Sequence, residues 1–277
     1  MESKDLTIVI VTFKSEKKII NCLRSISNEI PVIVVENSND KNFKENIENN
    51  FKNVNCVLAG SNKGYAVANN IGLGLVKSKY ALVLNPDTTL TKDSIKNFFI
   101  FTKKIEDFWL IGPGNDQGLN LNFEQSNFKE VNNLKGFAIF FNMSKFNQKY
   151  FDNNFFLFFE EIDLCKRVKN NKGKIILVKN IVIKHEGASS VDLNNDFELE
   201  KNRNWHWMWS TFYYQKKYKG TFLAIILIFP KLFSAIFKTL FYLLIFNKKK
   251  RDIYFYRLSG IIYSMIGKKS WYRPSLD

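Results

Sequence analysis

Three cysteines in 277 residues leave no material for a disulfide framework. Cys22, Cys56 and Cys165 stand far apart in apolar-periodic surroundings, with neither zinc spacing nor a paired pattern, which points to a reducing compartment. Glycine-rich phosphate loops are missing as well. No Gly-x-Gly-x-x-Gly and no Gly-x-x-x-x-Gly-Lys-Ser/Thr occurs, so neither the dinucleotide fingerprint nor the P-loop is supported. The stretch Val11 to Lys17 holds no glycine, where a nucleotidyltransferase would want a phosphate loop after its first strand. No nucleic-acid motif accompanies the basic residues. The start, Met1 to Asp5, runs straight into a strand pattern, so no signal peptide is expected.

What is present is apolar, aromatic and basic. Hydrophobic residues make up 45%, enough for a core, and 27 Phe with 11 Tyr are heavy for a soluble chain. A net charge of +15 suits nucleic acid, an acidic membrane surface or a phosphorylated substrate. The length allows one α/β domain with an appendage, or two small domains.

The first half alternates. Leu6 to Thr12 is a β-branched run that reads as a buried strand. Ser15 is placed to cap a helix from about Glu16 to Asn28, with Ile19, Ile20, Leu23 and Ile26 at helical spacing. Strands at Val32 to Val35 and Asn55 to Leu58 flank a helix around Phe43 to Asn50. This is the rhythm of a parallel sheet with right-handed crossovers. A small-residue stretch, Asn62-Lys63-Gly64-Tyr65-Ala66-Val67-Ala68-Asn69-Asn70-Ile71-Gly72, then opens a helix. Here Gly64 is either a close-approach point or a helix-start turn, and Gly72 a packing residue.

The next strand, Tyr80 to Leu84, stops at Asn85-Pro86-Asp87. Pro86 has no N–H for a ladder, so the strand must end there. Asp87 is thereby delivered to the carboxyl edge of a central strand, where open α/β sheets bind ligands. A carboxylate there, beside a nucleoside diphosphate, suits a hard divalent cation; the other reading is a turn that opens the next helix.

Beyond it the pattern gives a helix at Lys92 to Lys104, a strand and turn from Trp109 to Gly114, and a variable loop from Asn115 to Glu130. A strand at Leu134 to Phe141 and another at Lys174 to Ile183 complete the α/β part. Between them, Phe155-Phe156-Leu157-Phe158-Phe159 leads into a helix opening with Glu160, Glu161 and Asp163. Acids in a first turn favour the helix dipole, which is one explanation. Paired carboxylates beside apolar rings also acquire raised and separated pKa values, which suits a general base for an alcohol. His185 follows the last strand, and a lone histidine is usually structural, although its imidazole also suits a divalent cation. Arg203, His206 and Trp205, Trp207 and Trp209 fall on a helix and read as packing with an interfacial aromatic belt.

Residues 221–246 carry only Lys231 and Lys238 as charges, with Pro230 expected to split the run, and close on Asn247-Lys248-Lys249-Lys250-Arg251. Length permits a spanning helix. Because Lys231, Ser234 and Lys238 share one face, a bent amphipathic helix or helical pair in the interface fits better, its basic end on anionic lipid.

Four motifs stand in register: Val11-Thr12-Phe13-Lys14, Val34-Val35-Glu36-Asn37-Ser38, Asn62 to Asn70, and Leu84-Asn85-Pro86-Asp87. Together they resemble the family 2 inverting glycosyltransferases of the GT-A fold, in the bacterial rhamnosyltransferase-like branch, over roughly residues 5–215. The resemblance implies that Thr12, Phe13, Glu36 and Asp40 surround the base and ribose, with Glu36 where Asp is more common. It implies that Asn62, Gly64 and Asn69 face the diphosphate, that Asp87 and His185 hold Mg²⁺ or Mn²⁺, and that Gly136 leaves room for the acceptor sugar. The family's Asp-x-Asp is Asn85-Pro86-Asp87 here, so Asp87 alone carries the charge. The match to Glu-Asp-x-Asp-Leu implies Glu161 as the base, with Glu160 or Asp163 orienting it or the acceptor; Glu161 stands where Asp is usual, which leaves the choice between Glu160 and Glu161 open.

The expectation is therefore an α/β GT-A domain at residues 1–218, Rossmann-like with a mostly parallel sheet flanked by helices. A C-terminal membrane-associating helical appendage follows at 219–277. Its expected activity is metal-dependent inverting hexosyl or rhamnosyl transfer from a nucleoside-diphosphate sugar to a hydroxyl of a glycan or lipid-linked glycan. The expected place is the cytoplasmic face of the cell membrane, on an anionic surface and without nucleic acid. The competing readings are a catalytically inactive sugar-nucleotide-binding or scaffold protein, and a nucleotidyltransferase.

Overall fold

The computed structural model describes residues 3–105, 107–115, 123, 126–187 and 196–273. Expectations for Ala188 to Ser190, and for most of the loop 115–130, lie outside these residues. The chain divides into two compact units, Met1–Asp152 with Glu161–Asp192, and Asn153–Glu160 with Leu193–Asp277. By contact, residues 196–218 group with the helices that follow them, together with the short segment Asn153–Glu160.

In the first unit β1 (Leu6–Thr12), α1 (Glu16–Arg24), β2 (Val32–Glu36), α2 (Lys41–Asn50), β3 (Val54–Leu58), α3 (Gly64–Gly74) and β4 (Tyr80–Leu84) alternate as expected. There follow β5 (Thr88–Leu90), α4 (Ser94–Lys104), β6 (Leu110–Pro113), β7 (Phe128–Glu130), β8 (Ala138–Asn142), α5 (Glu160–Asn170), β9 (Ile175–Val178) and β10 (Ile183–His185). One eight-stranded sheet runs β3-β2-β1-β4-β8-β6-β9-β7, and β10 pairs separately with β5. The first four strands are mutually parallel, and β8 is antiparallel to both β4 and β6. The runs Ile8-Val9-Ile10, Val32 to Val35 and Ala81 to Leu84 are buried, as a sheet covered on both faces requires. Gly72 is a packing residue: a Cβ there would lie 2.5 Å from Val9 Cγ1, so α3 rests directly on the sheet.

Several local expectations are corrected. Ser15 makes no side-chain cap; its hydroxyl donates to Phe13 O (2.9 Å) because Lys14 turns the chain at φ 48°. The first helix ends at Arg24 rather than Asn28, where Ser25 Oγ donates back to Cys22 O (2.6 Å) and accepts from Leu90 N (3.0 Å). The strand expected over 174–183 is two strands, β9 and β10, separated by a turn with Ile181 N on Val178 O (3.1 Å). That turn is held by α4, whose Asn97 donates to Asn180 O and Ser94 to Val182 O, both at 2.6 Å. The end of the presumed loop 115–130 is β7, an exposed edge strand on β9.

The second unit is built on α6 (Asp196–Leu244) and α7 (Lys248–Met265). The interruption in α6 is at Gly220 (φ 78°, ψ 166°), and the helix runs through Pro230 unbroken, against the expected split. Glycine supplies the left-handed turn without Cβ strain, whereas Pro230 lacks only one intrahelical bond. Met208, Phe212, Ala224, Ile228 and Ile261 form one core, and Trp205, Trp209 and Tyr272 another. Gly260 lets the helices touch, since a Cβ there would sit 2.3 Å from Trp205 O. Asn247 caps α7 by accepting from Lys250 N (3.1 Å). After Gly220, one stripe of α6 is covered at Ala224, Ile228 and Ala235, while Phe222, Phe229, Phe233, Phe237 and Leu244 stay exposed. By length and composition alone, α6 is the one helix among the described residues apolar enough to cross a membrane.

His206 is structural. It is fully buried, with Nε2 3.0 Å from Tyr272 O, Ser270 Oγ 2.9 Å from Nδ1, and Phe156 stacked on it at 4.4 Å. Burial pushes its pKa down to about 3. A neutral ring that donates from Nε2 to the carbonyl and accepts at Nδ1 from the hydroxyl satisfies both partners.

Candidate active site

The carboxyl ends of β1, β2 and β4 define the site's first half. In-register pairing sets Thr12 beside Glu36, and Asn37 N donates to Thr12 O (2.8 Å). Thr12 Oγ1 is buried and has no hydrogen-bond partner among the described residues. Glu36 is buried but already occupied: it accepts from Ser38 N (2.8 Å), from the Ser38 hydroxyl and from Asp40 N (2.7 Å). Its carboxylate thus shapes the loop after β2. Asp40 is likewise engaged, as the cap of α2 on Phe43 N (2.9 Å).

Asn37 ties this loop to the next. Its amide donates to Asn62 Oδ1 (3.2 Å) and its Oδ1 accepts from Lys63 N (2.8 Å). Asn62 Oδ1 also accepts from Gly64 N (3.1 Å), at a residue with φ 80° that only glycine adopts without strain. Asn69 donates to Tyr65 O (2.9 Å), and its own Oδ1 is buried without a partner.

The second half begins at Asp87. It is buried, and neither of its oxygens has a hydrogen-bond partner among the described residues. Leaving such acceptors unsatisfied costs about 1–3 kcal/mol each, more when charged, so a binding role is the physical reason to keep them. Asn85 Oδ1 is in the same condition. His185 is brought to Asp87 by strand pairing: β10 sets His185 opposite Thr88, and Glu186 N donates to Asp87 O (3.1 Å). Its Nε2 lies 3.5 Å from Asp87 Oδ1, and its ring stacks on Phe137 at 4.5 Å, nearly parallel at 6°.

Phe137 connects this pair to the acids. Its carbonyl accepts from Asn85 N (2.9 Å), and its neighbour Gly136 faces Glu161. A Cβ on Gly136 would meet Glu161 Cβ and Cγ at 3.7 Å and Tyr65 Oη at 3.8 Å, so an unfilled methyl-sized space lies beside the acid. Tyr65 Oη donates to Gly136 O (2.6 Å), a role no spacing argument revealed. Glu161 is half-buried as a residue, but its Oε2 is sealed from solvent without a partner. Burial raises its pKa above the usual carboxylate range, and its own N–H and that of Ile162 offset part of this.

The other acids divide differently from expectation. Asp163 is fully buried and pairs with Arg167 Nε (2.8 Å), whose guanidinium also reaches Lys149 O (3.2 Å) and Tyr150 O. Through Arg167 it holds the chain segment at Lys149 and Tyr150. Glu160 is buried at the first position of α5. Just before it, Phe158 and Phe159 both have positive φ, 69° and 70°. Left-handed backbone costs an aromatic residue about 1–2 kcal/mol. Both rings are braced on Trp207, at 5.2 and 5.3 Å, and Phe159 also on Tyr214. Strain retained in this way is common beside catalytic groups.

A mixed α/β sheet whose first four strands are parallel, with Asp87 just past the end of β4 and His185 paired to it from β10, is a GT-A-like fold. Residues 7–164 match the family described as glycosyl transferase family 2, and the chain belongs to it. A curated relative, the low-salt glycan biosynthesis hexosyltransferase Agl10 of Haloferax volcanii, is 27% identical over 192 residues. That match takes in 60% of this chain and 62% of the relative's length. Among solved structures, residues 1–349 of S. aureus TarS superpose with TM-score 0.55 at 16% identity, over 97% of this chain and 93% of that one. The same protein with UDP-GlcNAc gives TM-score 0.54 at 16% identity over the same shares. These likenesses show the fold.

Proposed function

We propose that this chain transfers a sugar, with inversion, from a nucleoside-diphosphate sugar to a hydroxyl of a glycan. The observation that carries the proposal is the Glu161 Oε2, sealed from water beside the open space at Gly136, whose neighbour Phe137 stacks on His185, the partner of Asp87. Glu161 accepts the proton of the acceptor hydroxyl as its oxygen bonds to the anomeric carbon. The bond from that carbon to the diphosphate breaks, and the nucleoside diphosphate leaves with the electron pair. One displacement inverts the centre, and no residue is assigned as a covalent nucleophile.

Asp87 and His185 suit a divalent cation, Mg²⁺ or Mn²⁺. The test is chemical: two buried carboxylate oxygens without hydrogen bonds, and an imidazole nitrogen 3.5 Å away. No group of three His, Cys, Asp or Glu side chains gathers there among the described residues, so the remaining ligands would be diphosphate oxygens. When bound, the ion would neutralise charge on the leaving group. Thr12, Asn62, Gly64 and Asn69 line the nucleotide side.

The name of the Haloferax relative and the UDP-GlcNAc complex of TarS support a hexosyl donor and put UDP-sugars first in a screen. A lipid-linked acceptor in cell-envelope glycan assembly, at the cytoplasmic face of an anionic membrane, is supported by the exposed apolar side of α6. The experiment is a thermal-shift screen of UDP-, dTDP- and GDP-sugars with and without Mn²⁺, followed by donor hydrolysis and transfer. A metal-dependent shift that Asp87→Asn abolishes is expected. Metal-dependent binding unchanged in that variant would remove Asp87 from the site. Tight donor binding without any turnover would favour the inactive reading.

A further inference from the structure

The basic run at residues 248–251 does not act as one unit. Arg251 pairs with Asp252 (2.6 Å), and Lys249 lies over the Phe197 ring at 5.6 Å. The cations that line up are Lys231 and Lys238 on α6 with Lys250 and Arg257 on α7. Lys238 Nζ is 3.3 Å from Tyr254 Oη and 4.9 Å from that ring's centre, and the Arg257 guanidinium is 5.7 Å from the same ring. Tyr254 stacks on Tyr242 at 5.6 Å and 11°, and Lys250 lies 5.4 Å over Tyr242. Partial burial, and then Arg257, lower the pKa of Lys231. Among the described residues, none of the four pairs with a carboxylate.

Like charges gathered along one seam repel. The tyrosine faces offset part of that, but they supply no counter-charge. Around the seam, the surface of α6 after Gly220 is apolar, with Phe222, Phe229, Phe233 and Phe237 exposed. An unneutralised cation row bordered by apolar surface matches the boundary between lipid phosphates and acyl chains. Length selects among phosphate-bearing occupants. From Lys231 to Tyr242 is about 16 Å along a helix axis, too far for one phosphate to span and suited to several headgroups in a row.

We propose that the α6–α7 pair lies in the plane of an anionic bilayer, with residues 221–244 sunk below phosphate level and the Lys231, Lys238, Lys250 and Arg257 seam bound to lipid phosphates. The proposal rests on the membrane reading given above and adds its orientation and its ligands. The long lysine stems reach up to the phosphates while their apolar neighbours stay in the chains. An upright helix would instead carry Lys231, Lys238 and Arg257 to unequal depths, at least one far from either surface.

Two measurements on the full chain test this. The first is flotation with vesicles of phosphatidylcholine alone or with phosphatidylglycerol, across a salt series. Lys231→Gln/Lys238→Gln/Arg257→Gln should weaken anionic-vesicle binding about a hundredfold and flatten the salt dependence, whereas Lys248→Gln/Lys249→Gln should weaken it much less. The second replaces Leu223 or Leu240 with Cys and reads label depth; Cys22, Cys56 and Cys165 are buried and stay silent. The two positions lie about 100° apart around the helix, so in-plane placement gives depths that differ by no more than its width of about 10 Å. A difference approaching the roughly 25 Å of helix between the two positions overturns it. If the triple variant binds anionic vesicles as the parent does, the seam assignment fails while the membrane reading stands. If the parent chain ignores every vesicle, both fail together.

Discussion

Glu161 carries two opposed consequences of one fact. Its oxygen is cut off from water, so the charged form is disfavoured and the pKa rises. In the proposed role of base it must be ionised, so kcat/KM should fall as pH drops through that raised value, on an acid limb above the ordinary carboxylate range. Stability runs the other way. A carboxyl whose folded pKa exceeds its unfolded value keeps the folded state most favoured below the unfolded value, and loses that advantage as pH rises through the folded one. Glu161→Gln should therefore unfold at a higher urea midpoint than the parent at neutral pH, while transfer falls about 10²–10⁴-fold with donor binding intact. A parent-like rate in Glu161→Gln would hand the role to Glu160. At Gly136 the test is steric. Alanine fits at ordinary contact distance, so Gly136→Ala should fold normally yet fill the space beside Glu161. A raised acceptor KM with an unchanged donor KM is the expected result of steady-state kinetics.

At the level of elements, two features position the chemistry. The two-stranded ladder of β5 and β10 is short, yet it delivers His185 to Asp87 through the register His185 to Thr88. In the second unit, the contact of Gly260 with the Trp205 carbonyl sets how closely α7 packs on α6. Because the clashing atom is backbone, Gly260→Ala cannot be absorbed by a rotamer change and should cost about 1–3 kcal/mol. Chemical denaturation monitored by the tryptophans of α6 would register it; a parent-like midpoint would mean the helices are free to separate without loss.

For the whole molecule, the position of the unit boundary has a practical consequence. A chain cut after Tyr218 keeps Trp205, Met208, Trp209 and Phe212 but removes Ala224, Ile228, Ile261 and Tyr272, against which they pack. Such a truncation should be cleaved rapidly within residues 196–218 by a dilute protease, at a concentration that leaves the full chain intact. Equal protection of the two chains would show that the first part of α6 is held without these partners. The net charge of +15 adds a long-range attraction for anionic surfaces and phosphates, screened beyond about 8 Å at physiological salt.

The sequence by itself determined the alternation of β1 to β4 with their helices, because unbroken β-branched runs and amphipathic spacing are local signals. It also placed Asp87 at a strand end, since a proline two residues beyond Leu84 cannot continue a buried ladder. The tertiary structure alone decided what those side chains touch. Glu36 and Asp163 look like free acids in the sequence, yet one is consumed by its own loop and the other by Arg167. Tyr65 and Gly136 lie 71 residues apart, and only packing makes them partners. Pro230 looks like the break in the last long apolar run, yet the run stays helical through it and the interruption falls at Gly220, just ahead of the run, because a positive φ is a stronger interruption than one missing hydrogen bond. The cations of Lys231, Lys238, Lys250 and Arg257 form a row only once two helices fold back on each other. Charge counts along a chain carry no record of that pairing.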